Sequence, residues 1–175
     1  AAEMQERILK AREASDSVGG VLETWITGLD AGIGEPLFDS FESELSKAVF
    51  SIGGVKGIEF GSGFEMAHML GSEANDEFAM KDGRVITLTN HNGGINGGIS
   101  NGMPIIFRVA VKPTPSIFRE QDTVNLETME NAKLSLTGRH DPAIFHRARV
   151  VVDSMTALAL LDLLVRRYGE RWLTE

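Results

Sequence analysis

The protein has 175 residues, of which 42% are hydrophobic and 24% charged, a composition typical of a globular protein with one sizeable core. Its net charge of −8 disfavours binding to nucleic acid or to an anionic membrane surface. No apolar run reaches the roughly 20 residues of a membrane-spanning helix. The absence of cysteine leaves no disulfide or thiolate metal site and fits a reducing cytoplasm. We therefore expect a single cytoplasmic domain over residues 1–175.

The first half of the chain shows alternating helix and strand patterns. Residues 3–14 predict a surface helix and residues 21–27 a strand. A helix beginning near Pro36 is predicted by the apolar spacing of Leu37, Phe38, Phe41, Leu45, Ala48 and Val49. Residues 54–64 predict a short strand that ends in a glycine-rich bend. A helical turn and an exposed loop are expected over 65–81, and a strand over 84–90 follows the Asp82-Gly83 turn signal.

The second half contains the clearest strand and the longest helix. Residues 104–113 predict a strand whose inner face carries Ile105, Phe107, Val109 and Val111. An irregular connection with one strand, Lys133–Leu136, is expected over 117–138. A helix over 144–172 is apolar nearly all round between Val150 and Val165, which predicts that protein covers it on both sides. The order of elements indicates an α+β layered domain.

The segment TNHNGGINGGISNGMP (89–104) carries five of the chain's 19 glycines, between Gly93 and Gly102. Glycine admits positive φ and lets a ligand approach the backbone closely, and successive N–H groups in such turns can hold an anion. Side-chain donors and acceptors are added by Asn90, His91, Asn92 and Asn96. The spacing matches neither a Walker loop nor a dinucleotide fingerprint. A ligand-binding loop and an ordinary solvated glycine loop both remain open from the residues alone.

The segment VKPTPS (111–116) places a lysine and a serine around two prolines. Lys112 ends the predicted strand, on the face opposite Phe107, and its alternative interpretation is a solvated lysine. The prolines restrict the backbone, so Ser116 is expected in a rigid frame.

The segment GRHDP (138–142) puts three ionisable groups on one loop. Arg139 could hold a phosphate or carboxylate through two hydrogen bonds, and Asp141 could accept a proton. The alternative is that Asp141 caps the following helix, with Pro142 at its first position. Asp16 and Ser17 in DSVGG are interpreted as a turn. No histidine, cysteine or EF-hand spacing supports metal catalysis.

Five segments together resemble the second half of chorismate synthases, in order as well as in kind: DSVGGVLE (16–23), VKGIEFGSGF (55–64), TNHNGGINGGISNGMPI (89–105), VAVKPTPS (109–116) and GRHDPAIFHRARVVVDSMTALALLD (138–162). The resemblance extends from about Glu13 onward. Asn92 departs from the alanine that is frequent in the family. The family's first half, with its catalytic histidines and several arginines, has no counterpart here, and a start without methionine suggests an internal or processed beginning.

The resemblance implies a layered β-α-β sandwich, here one half with antiparallel strands and a long buried C-terminal helix. It also implies the elimination of phosphate from 5-enolpyruvylshikimate 3-phosphate, giving chorismate, with reduced FMN as cofactor and no metal. By the same resemblance Asp141 would assist proton removal and Arg139 would contact the substrate. The FMN would be lined by His91, Asn92, Asn96, Val111, Lys112 and Ser116.

Two hypotheses follow for this chain. The first is a chorismate synthase polypeptide that is inactive alone because the catalytic histidines are absent, and that associates as a homotetramer or with its missing half. The second is a non-catalytic FMN-binding or oligomerisation fragment, in which another chain covers the apolar helix 150–165. Both depend on the expectation that residues 90–102 and the loop 139–141 enclose a single anionic, ring-bearing ligand.

Overall fold

The computed structural model describes residues 2–138 and 141–170. Within these ranges the α-helices are α1 (Ala2–Glu13), α2 (Phe41–Phe50), α3 (Gly71–Ala74) and α4 (Phe145–Tyr168). The strands are β1 (Gly20–Ile26), β2 (Val55–Phe60), β3 (Phe78–Lys81), β4 (Arg84–Thr87), β5 (Ile95–Asn96), β6 (Ile99–Ser100), β7 (Ile105–Val111), β8 (Gln121–Asn125) and β9 (Glu130–Leu134). Two short 3-10 helices span Leu37–Asp39 and Gly63–His68. In this part of the chain no helix is long and apolar enough to cross a membrane.

The core rests on an antiparallel sheet with the strand order β1-β7-β2. Phe107 lies at its centre, paired with Thr24 on one side and Phe60 on the other. The predicted inner face of β7 is confirmed, because its four apolar side chains are at most 4% exposed. Alternation along a strand puts these residues on one side of the sheet, where α2 and α4 cover them. This arrangement leaves the two ends of β7 available for loops.

Helix α2 packs its apolar stripe on the sheet but begins later than predicted. Ser40 is its N-cap, and the Ser40 hydroxyl accepts a 3.0 Å hydrogen bond from the backbone N–H of Ser43. Leu37 has a positive φ of 65°, which interrupts the helical path between Pro36 and Ser40. Leu37 and Phe38 are therefore 81% and 89% exposed, and their predicted place on the buried face is wrong.

Helix α4 is not covered on both sides, and the expectation of a long buried C-terminal helix is wrong for this chain. Its buried residues form one stripe: Phe145, Ala148, Val152, Thr156 and Leu163. On the other side Val150 is 60% exposed and Leu158 59% exposed. The reason is that α4 contacts α2 and β1 on one face, and the described residues provide no second layer for its remaining apolar side chains. The predicted end at residue 172 lies outside the described residues.

Two hairpins replace segments predicted as loops. Strands β3 and β4 pair across the Asp82-Gly83 turn, where both residues have positive φ. The turn prediction is confirmed, but the loop expected before it contains β3. Between 117 and 138 the chain forms the hairpin β8–β9 rather than one strand at 133–136. Its turn is stabilised by Asn125, whose side-chain oxygen accepts the N–H of Glu127 at 2.9 Å.

Helices packed on an antiparallel sheet confirm the α+β class. The layered sandwich of the whole family fold remains a prediction.

Candidate functional site

A cavity of about 580 Å³ lies where β7 ends. Its walls come from α1 and from three regions that are far apart in the sequence: residues 15–17, residues 116–118, and Gly138 with Asp141 and Pro142. Apolar side chains such as Ile8 and Ile117 line it beside polar groups from Arg12, Asp16, Ser17, Ser116 and Asp141. The structure thus brings together two residues predicted for the site, Ser116 and Asp141. Volumes of about 300–1,000 Å³ with this mixture of groups are typical of ligand pockets.

The segment 16–18 joins the other two loops and is more than a turn, contrary to its interpretation from the sequence. The Ser17 hydroxyl donates to the carbonyl oxygen of Thr114 at 2.6 Å. The Val18 N–H donates to the carbonyl oxygen of Pro142 at 2.8 Å. The next residue, Gly19, lies so close to β7 that a Cβ atom there would be 2.5 Å from the oxygen of Val111. Three of the five family-like segments therefore meet at one place.

Asp16 adds an ion pair to this junction. One carboxylate oxygen accepts the N–H of Ser17 at 2.8 Å, and the other lies 3.0 Å from Arg119 Nη1. Because these side chains are partly exposed, the ion pair contributes little to stability by itself. Its effect is to hold the loop after Ser116 against the turn at 15–17.

Asp141 faces the cavity without capping α4. Its Oδ1 atom accepts the N–H of Ala143 at 3.0 Å, whereas the N-cap of α4 is Ile144, which makes no side-chain capping bond. The capping alternative is therefore wrong, and Pro142 precedes the helix. The Arg147 guanidinium lies 3.5 Å from Asp141 Oδ2. Thr114 Oγ1 donates to the Asp141 carbonyl oxygen at 3.2 Å, which connects this loop to the VKPTPS segment.

The remaining predicted residues of these segments occupy different environments. Val111 is 4% exposed, so its side chain belongs to the core rather than to a ligand site. Lys112 donates its backbone N–H to the oxygen of Gly54 at 2.8 Å and keeps its side chain exposed. Arg139 and His140 lie outside the described residues.

The glycine segment lies at the other end of β7. Its glycines adopt positive φ, as predicted, with Gly97 at 59° and Gly98 at 88°. The groups that approach them closely are, however, mostly parts of this chain's own backbone. A Cβ atom at Gly98 would be 2.6 Å from the oxygen of Glu35, and one at Gly93 would be 2.7 Å from the oxygen of Ile106. Gly97 has nothing within 4 Å of that position and leaves open space.

The buried carboxylate of Asp76 organises the start of the glycine segment. Its Oδ1 accepts the hydroxyl of Thr89 and the N–H of His91, both at 2.7 Å. Its Oδ2 accepts the N–H of Asn92 at 2.8 Å and the side-chain amide of Asn92 at 2.9 Å. Burial raises the pKa of the Asp76 carboxyl, but the hydrogen bonds from Asn92, Thr89 and His91 outweigh it and hold the pKa below its ordinary value.

His91 is fixed at three points. Besides the bond to Asp76, its carbonyl oxygen accepts the N–H of Ser62 at 2.8 Å, and its ring Nδ1 lies 2.8 Å from Ser62 Oγ. Asn96 is exposed, and its side-chain oxygen accepts the amide of Asn101 at 2.6 Å. The sequence marks Ser62 only as part of the glycine-rich bend at 54–64 and does not mark Asp76, because their partners are 13 to 29 residues away.

The two groups of predicted residues are not brought together within the described chain. His91, Asn92 and Asn96 precede β7, and Ser116 and Asp141 lie beyond its end. A seven-residue strand spans roughly 20 Å. The glycine segment does not line the cavity that holds Asp141. The expected single enclosure formed by 90–102 and the 139–141 loop is therefore not present in the described part of this chain.

Comparison with known proteins places the five segments in one family. A family profile described as chorismate synthase matches residues 1–165. The chorismate synthase of Lachnoclostridium phytofermentans is 60% identical over 151 residues, which is 86% of this chain and 41% of that relative. That of Methanocella arvoryzae is 53% identical over 162 residues, 93% of this chain and 44% of the relative.

A solved crystal structure of a chorismate synthase superimposes with a TM-score of 0.77 at 30% identity, covering 96% of this chain and 43% of that one. The chain thus spans less than half the length of these relatives. On the profile match and these identities, the chain belongs to the chorismate synthase family.

Proposed function

We propose that this chain forms part of a chorismate synthase, which converts 5-enolpyruvylshikimate 3-phosphate to chorismate. In this reaction the carbon–oxygen bond to phosphate breaks, a proton leaves from carbon, and a new double bond forms without net redox change. The observation that carries the proposal is the meeting of the segments 16–18, 114–116 and 141–142 at one cavity. These segments are among those that resemble the family.

The cavity fits one part of a flavin site. Its apolar walls, including Ile8 and Ile117, suit a ring system, and the hydroxyls of Ser17 and Ser116 suit polar ring edges or a ribityl chain. Arg12, which also lines it, supplies a positive charge for a phosphate or carboxylate. Reduced FMN, when bound, would lend an electron to the substrate and take it back. The Val111 side chain does not fit this role, because it is buried in the core.

Residues of this chain would orient the substrate and help to remove its proton. Asp141 has one carboxylate oxygen held by the N–H of Ala143, and the other lies at 3.5 Å from Arg147, so the carboxylate is oriented at the cavity wall. We propose it as the group that assists proton removal. Arg139 is proposed to contact the substrate, and Lys112 and Ser116 to contact the flavin.

His91, Asn92 and Asn96 are proposed to line the flavin in the complete enzyme. They lie at the opposite end of β7 from Asp141, so one copy of this chain cannot place both groups around the same flavin. A second polypeptide would have to supply the residues that are missing from the end that binds the flavin. The homotetramer, or a complex with the remainder of a synthase, would supply it. This requirement supports the proposal that the chain alone does not turn over.

A non-catalytic FMN-binding or oligomerisation fragment is the second candidate. This candidate is favoured by the exposed apolar side of α4, where Val150 is 60% and Leu158 59% exposed. Burying such a surface against another chain would remove these apolar side chains from water. Under this candidate the cavity would bind flavin without phosphate release.

An anaerobic titration with reduced FMN, followed by 5-enolpyruvylshikimate 3-phosphate and a phosphate assay, tests the proposal. Flavin binding that weakens at least tenfold in Ser116→Ala, with no change in Asp153→Asn on the exposed side of α4, is the expected result. Phosphate release is expected only when the remaining part of a synthase is added, and it should fall at least a hundredfold with Asp141→Asn. Absence of flavin binding in both the single chain and the reconstituted complex would contradict the assignment.

A further inference from the structure

Asp76 accepts four hydrogen bonds from the described part of the chain, and all four come from residues 89–92. Four donors reach its two oxygens at 2.7–2.9 Å: the Thr89 hydroxyl, the backbone N–H groups of His91 and Asn92, and the Asn92 side chain. The residue is only 5% exposed. A buried carboxylate without partners would be strongly unfavourable, so these bonds and the loop conformation depend on each other.

The same loop is held from its other side by the glycine-rich bend after β2. Ser62 binds both the carbonyl oxygen of His91 and, through its hydroxyl, ring atom Nδ1. Gly61 packs against the His91 carbonyl so closely that no Cβ atom could stand there. The His91 backbone is thus clamped between Asp76 and the bend, while Ser62 sets the direction of its ring.

The second ring nitrogen of His91, Nε2, differs from Nδ1 in its hydrogen bonding. Among the described residues, no hydrogen bond to His91 Nε2 accompanies the one at Nδ1. Since Ser62 occupies Nδ1, that contact sets the ring plane, and Nε2 is the atom left to meet a ligand. The arrangement parallels the support that oriented histidines receive at functional sites.

We propose that Asp76 is a positioning residue that, together with Ser62, presents the His91 imidazole to the bound ligand. Asp76 acts on the backbone of His91 and Asn92, and Ser62 acts on the ring. The side chain of Asn92 adds a fourth bond to the same carboxylate. The identity of the ligand as the flavin or its substrate rests on the proposed function, whereas the positioning itself does not.

The test uses the isotopically labelled 175-residue chain without ligand. In Asp76→Asn an NH₂ group replaces one carboxylate oxygen and cannot accept the hydrogen bonds that this oxygen receives. Amide hydrogen exchange at His91 and Asn92 should therefore become at least tenfold faster, with exchange in β7 unchanged. The ring signals of His91 should shift as well. Asp82→Asn, in the exposed turn between β3 and β4, is the matched control and should change neither.

Ser62→Ala separates the two supports. It should alter the ring signals of His91 and leave exchange at Asn92 within twofold of the wild type. If Asp76→Asn does not fold, Thr89→Val and Asn92→Ala each remove one donor and keep the carboxylate, and either should raise exchange within 89–92 only. Unchanged exchange at His91 in all of these variants, or ring signals insensitive to both Asp76→Asn and Ser62→Ala, would overturn the proposal.

Ligand binding is then measured separately. A tenfold or greater loss of flavin affinity in Asp76→Asn connects the positioning to the proposed function. Altered exchange and ring signals, with no flavin binding by the wild type either alone or in the reconstituted complex, would leave the positioning intact and refute the flavin assignment alone.

Discussion

The Ser17 hydroxyl lies 2.6 Å from the carbonyl oxygen of Thr114, a hydrogen bond between residues 97 positions apart. This bond, with that from Val18 to Pro142, sets the spacing between the loops that carry Ser116 and Asp141. The cavity wall therefore depends on a segment whose sequence indicates only a turn.

Ser17→Ala should lower the free energy of unfolding by about 1 kcal/mol and widen the cavity, because the Thr114 oxygen loses its donor. Urea unfolding measures the first effect, and flavin titration should show a severalfold weaker complex. Ser154→Ala is a suitable control, since that hydroxyl donates only to the oxygen of Val150 within α4. Equal effects of the two substitutions on flavin binding would argue against a role for Ser17 in the cavity.

Asp76 should make the free energy of unfolding depend on pH in the acidic range. Its pKa lies below the ordinary 3.8 in the folded state, so its contribution is fully present above that value and is lost as the pH falls through the folded pKa. Asp76→Asn should lower the free energy of unfolding by about 2–3 kcal/mol near neutral pH.

The difference between wild type and Asp76→Asn should then stay constant down to about pH 4 and shrink as the pH is lowered further, through the folded pKa. Chemical unfolding at a series of pH values measures it. A difference that stays constant over this lower range as well would show that the carboxylate charge is not what holds residues 89–92.

The Gly97-Gly98 pair allows a matched comparison. Both have positive φ, but only Gly98 is crowded, since a Cβ atom there would lie 2.6 Å from the Glu35 oxygen, whereas Gly97 faces open space. Gly97→Ala should cost about 1 kcal/mol through backbone strain alone. Gly98→Ala should cost about 3 kcal/mol, because the neighbouring backbone must also move. Thermal or urea unfolding distinguishes them, and equal losses would contradict the close packing of Gly98 against Glu35.

The two sides of α4 should respond differently to truncation. Val152 is fully buried, so Val152→Ala should lower the free energy of unfolding by about 2 kcal/mol. Leu158 is 59% exposed, and Leu158→Ala should change it by less than about 0.5 kcal/mol. Urea unfolding at low protein concentration provides the measurement. A large loss for Leu158→Ala would indicate that this side is covered in solution by another chain.

Local patterns predict those elements whose sides differ in polarity. Strand β7 alternates apolar and mixed residues, and a strand has only two faces, so the buried set follows directly from spacing. The Asp82-Gly83 turn is predictable for a similar reason, since few residue pairs tolerate two positive φ angles. The start of α2 differs from its prediction because Leu37 and Phe38 continue the helical spacing, although the backbone turns at Leu37.

The sequence by itself determined the family, the α+β class and the five segments that resemble that family, because motifs and periodicities are local properties of the chain. Only the tertiary structure decided which segments meet. It brought Ser17 to Thr114 and Asp76 to Asn92, and it put the glycine segment and Asp141 at opposite ends of β7. It also left one side of α4 exposed, because burial depends on which other layers are present and not on the hydrophobicity of the helix.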